Sequence, residues 1–460
     1  MNNHVTSVNF TQSASDSMAT DCTLAVGWAR YGCQLSSWGA NSYGQLGQGH
    51  AEDKLLPGEV TPVDISIQSI SGGGGHTLVI DDEGNLFVCG SNNKGQLGLG
   101  HTRDVSTLTK VQLPEGSVVT KATGGWDFTL IITAAGELFV MGSNTFGQLG
   151  SPGANQVLLP VKVNVPNEEK VRDVAAGLRH VVMVTVSGNI YCWGAGRKGQ
   201  CGILVDNKPP NRLTTPVLVR IPESQEKGLY EMTSKHRITL MGYFYTYSRH
   251  VSSVVTRRLP CGAMHHHDQT VTRYLSLMTD RDQVFVLNDQ IVTRYLSLIT
   301  DRNQMYFWGC NKYGQCLKDP SHCSSVTTPS PAPPRDWTLS NLSSGWTHLL
   351  ARTDEGKLYS WGRGDYGQLG RSCDRSCDHV PTQIPNIPRV LDVSCGSEHN
   401  LAVTEDASVF SWGWNEHGIC GTGDEENVYK PQKVAALSKL RIQLLGCGNG
   451  QSLVYGSEIT

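Results

Sequence analysis

Short runs of apolar residues recur along most of the chain, and each run is separated from the next by a turn that contains glycine. One pair is Leu78-Val79-Ile80 and Leu86-Phe87-Val88, with the Glu83-Gly84 turn between them. Another pair surrounds the turn Asp354-Glu355-Gly356. Apolar runs of strand length on either side of a tight turn are typical of β-hairpins. The pattern therefore predicts an all-β protein made of short antiparallel strands.

A second pattern marks where one strand of each unit ends. Trp361-Gly362 is followed by Gly367-Gln368-Leu369-Gly370, and Trp38-Gly39 is followed by Gly44-Gln45-Leu46-Gly47. The strand-ending glycine recurs in seven copies, at Gly39, Gly90, Gly142, Gly194, Gly309, Gly362 and Gly413. The residues before it are 51 to 53 positions apart in the regular part of the chain. A period of about 50 residues with several strands per repeat predicts a β-propeller, here with seven blades.

The two ends of the repeat region are complementary. Cys447–Gln451 is followed by the apolar run Leu453-Val454-Tyr455 but has no Trp-Gly of its own, whereas Trp38 has no hairpin partner before it. Pairing the C-terminal strand with the N-terminal one would complete a single blade. It would also remove two exposed sheet edges, which otherwise invite aggregation.

The repeats divide the chain into two parts. Residues 1–32 are polar and predict a disordered tail, and residues 33–460 predict the propeller. An irregular region at about 223–303 interrupts blade five, where Trp193 and Trp308 are 115 residues apart. Val271–Leu277 recurs there as Val292–Leu298. Duplicated or misjoined coding material and a genuine looped insertion both remain open as explanations.

Composition excludes several classes of protein. The formal net charge is −3, so nucleic-acid binding is not expected. No apolar run is long enough to span a membrane, and the N-terminus lacks a signal-peptide pattern. Several of the 14 cysteines lie in expected core strands, which favours a reducing compartment. We expect a monomer in the cytoplasm, with the nucleus as a second location.

No sequence motif predicts a metal site, a cofactor or covalent catalysis. The run His265-His266-His267 and the pair Cys373 and Cys377 have no partner cluster at ligand spacing. The glycines at 72–75 lack the Lys and Ser/Thr of a phosphate loop. No Ser/His/Asp or paired-carboxylate arrangement can be argued from spacing, so enzymatic activity stays open.

Each repeat carries an anchor before its hairpin, usually Gly-x-x-His. We interpret the anchor histidines and the strand-ending tryptophans as architectural, because a residue repeated in most blades usually fixes the repeat. They are His76, His180, His265, His348, His399, Trp38, Trp193, Trp308, Trp361 and Trp412. Asp127 is read as replacing the histidine of its repeat, which singles it out.

These motifs together resemble the repeats of the regulator of chromosome condensation family. The similarity covers residues 35–455 apart from the irregular region, and it implies a propeller. Gly345–His348, Trp361–Arg371 and Trp412–Gly418 further resemble a branch of exchange factors that regulate secretion. That resemblance implies a small GTPase as partner, and an exocyst component as a second partner.

In the chromatin-bound branch of this family, nucleotide exchange depends on acidic and histidine side chains at the anchor turn. Read onto this chain, the position just before the anchor holds Gly75, Trp126, Arg179, Met264, Thr347 and Glu398. The long β-wedge of that branch is absent, since Gly142 to Gly150 is a short turn. The resemblance makes Asp127, Glu398, Trp126, Arg179 and Trp346 the candidate GTPase contacts.

A non-catalytic scaffold is the alternative function. A propeller presents variable loops on a rigid frame, which suits partner binding without exchange. The scarcity of acids at the anchor turns favours this alternative. Recruitment of substrates for ubiquitin transfer is disfavoured, because the chain carries no catalytic domain for that reaction. Light sensing through a tryptophan cluster is also disfavoured, because the other blades carry no tryptophan at the equivalent position.

Overall fold

The apolar runs form antiparallel strands that assemble into four-stranded sheets. The computed structural model describes residues 32–60, 65–222, 285–286, 295–299, 304–372 and 376–459. Within them lie 28 strands, numbered β1–β28, grouped into seven four-stranded sheets. The disordered tail expected for residues 1–32 lies almost wholly outside the described residues.

The sheets are numbered here by the strand-ending glycine that each contains, and their strands are given from the centre of the ring outward. Sheet 1 contains β27 (Leu440–Cys447), β28 (Gln451–Glu458), β1 (Cys33–Gly39) and β2 (Lys54–Glu59). Sheet 2 contains β3 (Ile67–Gly72), β4 (His76–Asp81), β5 (Leu86–Gly90) and β6 (Val105–Lys110). Sheet 3 contains β7 (Val119–Gly124), β8 (Phe128–Thr133), β9 (Leu138–Ser143) and β10 (Gln156–Lys162). Sheet 4 contains β11 (Val171–Ala176), β12 (His180–Thr185), β13 (Ile190–Ala195) and β14 (Arg212–Leu218).

The remaining sheets follow the same order. Sheet 5 contains β15 (Phe285–Val286), β16 (Tyr295–Ile299), β17 (Met305–Cys310) and β18 (Ser325–Pro331). Sheet 6 contains β19 (Leu339–Ser344), β20 (His348–Thr353), β21 (Leu358–Arg363) and β22 (Cys377–Gln383). Sheet 7 contains β23 (Val390–Cys395), β24 (His399–Thr404), β25 (Val409–Gly413) and β26 (Val428–Lys433). Short 3-10 turns lie at Pro166–Glu168, Glu416–Gly418 and Ala435–Leu437.

The all-β propeller is confirmed, but the expectation of seven blades needs correction. Six sheets are complete blades, each with four strands of five to eight residues. Sheet 5 is described only in part: its innermost strand, β15, comprises the two residues Phe285–Val286. Most of the irregular region at 223–303 lies outside the described residues. The structure therefore shows six complete blades, with the partial sheet 5 between sheets 4 and 6.

The closure of the ring joins the two ends of the repeat region. β1 pairs with β28 along its whole length, from Cys33 opposite Ser457 to Gly39 opposite Gln451. Sheet 1 thus takes two strands from each end of the chain. This pairing satisfies backbone groups that would otherwise be exposed on two strand edges.

The core lies between neighbouring sheets. The second strands β4, β8, β12 and β24 are buried at every position, because each is covered by the sheets on both sides. The outer strands, such as β6, are only half-buried. Among the described residues, no helix is long and apolar enough to cross a membrane.

Candidate functional site

Every complete sheet has a tight anchor turn between its inner and second strands. The turns are Gly73–Gly75, Gly125–Asp127, Gly177–Arg179, Gly345–Thr347, Gly396–Glu398 and Gly448–Gly450. In each, the first residue donates its backbone N–H to the carbonyl oxygen three residues later, as Gly345 does to His348 at 2.9 Å. At Gly396 a Cβ atom would overlap the ring of His399. The Gly-x-x-His motif therefore reflects a histidine ring folded back over its own turn.

The anchor turns of neighbouring sheets are linked by backbone hydrogen bonds. Asn449 N–H donates to Gly73 O at 3.1 Å, Gly74 N–H to Gly125 O at 2.9 Å, and Trp346 N–H to Ser397 O at 2.8 Å. The bond from Trp126 N–H to Leu178 O is longer, at 3.4 Å. The turns thus lie on one face of the propeller, which we call the anchor face.

The anchor histidines bridge adjacent sheets. His76 Nε2 is 3.0 Å from Thr129 Oγ1, His348 Nε2 is 2.7 Å from Asn400 Oδ1, and His399 Nε2 is 3.1 Å from Ser452 Oγ. Burial lowers the pKa of His76 to about 4 and that of His180 to about 3. Burial also lowers the pKa of His399 to about 3, with a smaller contribution from the charge of His348. These three imidazoles are neutral near pH 7.

His348 is the exception among the buried histidines. Burial alone lowers its pKa, but the neighbouring Cys395 thiol and the Glu398 carboxylate outweigh that effect and raise it to about 10. The Glu398 carboxylate oxygen Oε2 lies 3.8 Å from Nδ1 of His348. A buried cation beside a buried carboxylate is stable only as a pair.

The strand-ending tryptophans also join neighbouring sheets. Each indole N–H donates to a carbonyl oxygen in the turn of the preceding sheet. The five bonds are Trp38 to Ile419, Trp193 to Gln148, Trp308 to Gln200, Trp361 to Gln315 and Trp412 to Gln368, at 2.8 to 3.2 Å. All five side chains are fully buried.

The strand register corrects the anchor assignment in sheet 3. In the regular sheets the anchor histidine lies opposite the strand-ending glycine, as His348 does opposite Gly362. In sheet 3 Phe128 takes this position, opposite Gly142, and not Asp127. Asp127 therefore occupies the position just before the anchor residue, which the sequence pattern assigned to Trp126. In sheet 5 Tyr295 lies opposite Gly309, and His265 lies outside the described residues.

Tyr295 at the anchor position of sheet 5 also forms hydrogen bonds to the next sheet. Its hydroxyl donates to Gly345 O at 3.0 Å and His348 O at 2.8 Å in the next sheet. In sheet 1 Gln451 takes the same position, opposite Gly39, and its amide donates to His76 O at 3.1 Å. A polar side chain that reaches the next sheet can therefore replace histidine.

Asp127 is a half-buried carboxylate on the anchor face. Its Oδ1 accepts a hydrogen bond from Gln148 Nε2 at 3.3 Å. Burial raises its pKa, while hydrogen bonding to Ser143 and Gln148 and the charges of Arg179 and Lys94 oppose that rise.

Glu398 is 5% exposed and already satisfied. Its carboxylate accepts the Thr347 hydroxyl at 2.7 Å and the Gln368 amide at 2.8 Å. Arg363 Nη1 lies 3.8 Å from Oε1. Glu398 therefore fastens sheet 7 to sheet 6.

Trp126 and Trp346 come together although their sheets are not neighbours. Their ring centroids are 6.0 Å apart with planes tilted by 44°, a geometry in the range of favourable aromatic pairs. Both pack, with Leu178, against a buried apolar cluster. The two indoles thus bring sheets 3 and 6 into contact on the anchor face.

The sequence did not single out the aromatic residues of the surrounding turns or Arg363. The Arg179 guanidinium lies over Phe146, 4.3 Å from the ring centroid. Arg363 lies between two tyrosine rings, 4.5 Å from the centroid of Tyr366 and 5.1 Å from that of Tyr313. The residue before the Gly-Gln pair of the turn differs between repeats. This difference is the sequence signal that could have identified these side chains.

The structure brings four of the five candidate contacts to exposed or half-buried positions. Trp126, Asp127, Arg179 and Trp346 are half-buried on the anchor face, and Glu398 is buried beside them. No group of three described His, Cys, Asp or Glu residues could hold a metal ion.

Comparison with known proteins identifies similar chains. The family described as RCC1-like domain matches residues 34–454. The mouse secretion-regulating guanine nucleotide exchange factor is 37% identical, over 91% of this chain and 82% of its own length. The regulator of chromosome condensation of Xenopus laevis is 26% identical, over 88% of this chain and 84% of its own. These matches confirm both resemblances found in the sequence.

A solved structure has the same fold. Prp20p of Saccharomyces cerevisiae, studied for its binding to Gsp1p and histones, superposes with a TM-score of 0.70 and 22% identity. The match covers 93% of this chain and 92% of that one. At this level of identity the likeness concerns the fold.

Proposed function

Because the chain belongs to the RCC1-like domain family, we propose that it regulates a small GTPase in secretion by promoting nucleotide release. The observation that carries the proposal is the 37% identity to a secretion-regulating exchange factor along 91% of the chain. An exocyst component is the second partner, and the cytoplasm, with the nucleus as a second location, is the compartment.

The anchor face is the proposed docking site. It combines two half-buried tryptophans, an arginine and a carboxylate on a frame held by backbone and side-chain hydrogen bonds. Tryptophan and arginine are the residues most often responsible for binding energy at interfaces. Rigid support lowers the entropy that must be lost on binding.

Exchange needs no covalent step. A partner accelerates release by stabilising the nucleotide-free GTPase, for example by drawing a phosphate-loop lysine away from the nucleotide. Asp127 is the proposed carboxylate for this role, since it is partly exposed. Glu398 is the second candidate, and it must leave Thr347 and Gln368 before a partner atom can reach it.

A nucleotide-release assay against purified small GTPases tests the proposal. We expect one GTPase to release labelled GDP faster, and Asp127→Asn to slow that release about tenfold, as loss of a charge-assisted hydrogen bond implies. Asp82→Asn, at an exposed hairpin turn, is the matched control and should leave the rate unchanged. If Asp127→Asn releases nucleotide at the wild-type rate, the assignment of Asp127 is wrong.

A binding measurement with the same proteins distinguishes an exchange factor from a non-catalytic scaffold. Stable binding of a GTPase with no accelerated release would establish a scaffold in place of an exchange factor. We expect Trp126→Ala to weaken binding at least about tenfold in either case, because buried interface tryptophans are frequent hot spots. Wild-type affinity in that variant would place the interface elsewhere.

A further inference from the structure

Sheets 2 and 4, which flank sheet 3, place positive charge on one part of the anchor face. Lys94 lies in the turn of sheet 2, Arg179 in the anchor turn of sheet 4, and Arg197 and Lys198 in the turn of sheet 4. The two lysines and Arg197 are exposed. We call the segments 91–98, 125–127, 143–150, 177–179 and 195–202 the basic arc. Their sole acidic residue is Asp127.

Arg179 is held ready for an anion. Its guanidinium stacks on Phe146 at 4.3 Å, which fixes the orientation of the planar group. Its Nε atom is buried and has no hydrogen-bond acceptor among the described residues. A buried donor without an acceptor raises the free energy of the unbound protein. An acceptor that binds to this donor removes that cost, which adds to its binding free energy.

The opposite part of the anchor face differs in this respect. Arg363 is also stacked on aromatic rings, but its Nε donates to Asp365 at 2.8 Å and its Nη1 lies 3.8 Å from Glu398. Its charge is matched within the protein. Arg179 lies near the partly buried carboxylate of Asp127.

We propose that the basic arc binds an acidic segment of a protein partner, with a carboxylate received by Arg179 and flanking carboxylates by Lys94 and Lys198. Arginine receives a carboxylate through two parallel hydrogen bonds, and lysine acts as a point charge. The positive charge of the basic arc complements a negatively charged partner, and such complementarity raises the rate of association. The arc shares Arg179 and Asp127 with the proposed docking site, but binding of an acidic segment is tested without a GTPase and does not depend on nucleotide exchange.

A nucleic acid fits the arc less well. The four cations of the arc, which belong to two sheets, are fewer than the phosphate contacts that support sequence-independent nucleic-acid binding. A nucleic acid also carries negative charge along its whole length, and the formal net charge of −3 on the chain opposes a long polyanion more than a short acidic segment.

The test uses the full chain and two fluorescein-labelled peptides, an oligoglutamate and the matching oligoglutamine, in an anisotropy titration at low ionic strength. We expect the oligoglutamate alone to bind, and its affinity to fall as salt is added. The double variant Lys94→Glu/Lys198→Glu should weaken binding about tenfold. Arg179→Lys, which keeps the charge and loses the paired donors, should weaken it severalfold.

The matched control is Lys430→Glu/Lys439→Glu, which makes the same charge change at two exposed positions. Lys430 lies in β26 of sheet 7, and Lys439 lies just before β27. Its affinity should equal that of the wild type. Equal weakening by both double variants would show a general charge effect and overturn the proposal, as would a lack of oligoglutamate binding. Tighter binding of a labelled oligodeoxythymidylate of the same charge would favour a nucleic acid instead.

Discussion

At the scale of single residues, the recurring glycines that follow the Gln-Leu or equivalent pair of the turn are explained by the tryptophans they contact. Gly370 has φ +64°, and a Cβ atom there would lie 2.7 Å from Trp412 Nε1. Gly150, Gly202 and Gly421 stand in the same relation to the next tryptophan. Only glycine allows the backbone to reach this close while adopting a left-handed conformation.

Replacing Gly370 with alanine tests this explanation. The substitution combines a positive φ with a steric overlap, so we expect the free energy of unfolding to fall by about 2–4 kcal/mol. Gly116→Ala is the matched control, since Gly116 has φ +78° and open space around its Cβ position. It should cost only about 1 kcal/mol. Equal losses in chemical denaturation would mean that the tryptophan contact is unimportant.

The buried histidines predict a dependence of stability on pH. The folded-state pKa values of His76, His180 and His399 lie at about 3 to 4, below the unfolded value of 6.5. The stability they contribute is present above pH 6.5 and is lost as the pH falls toward 4, by up to about 1.4 kcal/mol per pH unit for each histidine. His348 acts in the opposite sense, because its pKa is raised to about 10: its contribution is complete below pH 6.5 and is lost as the pH rises through 10.

His399→Gln isolates one of these contributions. Glutamine already occupies the equivalent position in sheet 1, as Gln451, so the fold should tolerate it. Between pH 6.5 and 4.5 the variant should lose stability less steeply than the wild type, by about 1.4 kcal/mol per pH unit. Denaturant midpoints measured across that range check the slope. Parallel slopes would show that His399 is not the titrating group.

At the scale of secondary-structure elements, register decides which residues correspond between repeats. The sequence assigned Asp127 to the histidine position, yet Phe128 lies opposite Gly142. The sequence spacing of Asp127 is within one residue of the motif, and a shift of one residue reverses which face a strand side chain occupies. In sheet 5 the register places Tyr295 opposite Gly309, whereas His265 lies outside the described residues.

The closing strand β28 provides a prediction at this scale. It pairs with β1 on one side and β27 on the other. A chain ending at Gly450 should lose its cooperative unfolding transition and aggregate, because both partners would then expose unpaired edges. A chain ending at Glu458 keeps all of β28 and serves as the control, with a melting temperature near that of the full chain. A stable monomer ending at Gly450 would contradict the closure.

At the scale of the whole molecule, the ring is held by contacts between successive sheets. Histidine, tryptophan and backbone hydrogen bonds all cross from one sheet to the next. We therefore expect the described sheets to unfold together, with coincident transitions by far-ultraviolet circular dichroism and tryptophan fluorescence. Trp361→Phe should shift both transitions to lower denaturant by the same amount. Separate transitions would mean that single blades unfold independently.

The repeat, the strand-ending tryptophans and the pairing of the chain ends can be predicted from the sequence, because they follow from local patterns that recur at a fixed period. The sequence did not determine the registers of Phe128 and Tyr295, the approach of Trp126 to Trp346, or the exposure of Asp127 against the burial of Glu398. The tertiary structure decided these, since each depends on residues that are distant in the chain and meet only when the ring closes. The stacking of Arg179 on Phe146, and with it the basic arc, belongs to the same group.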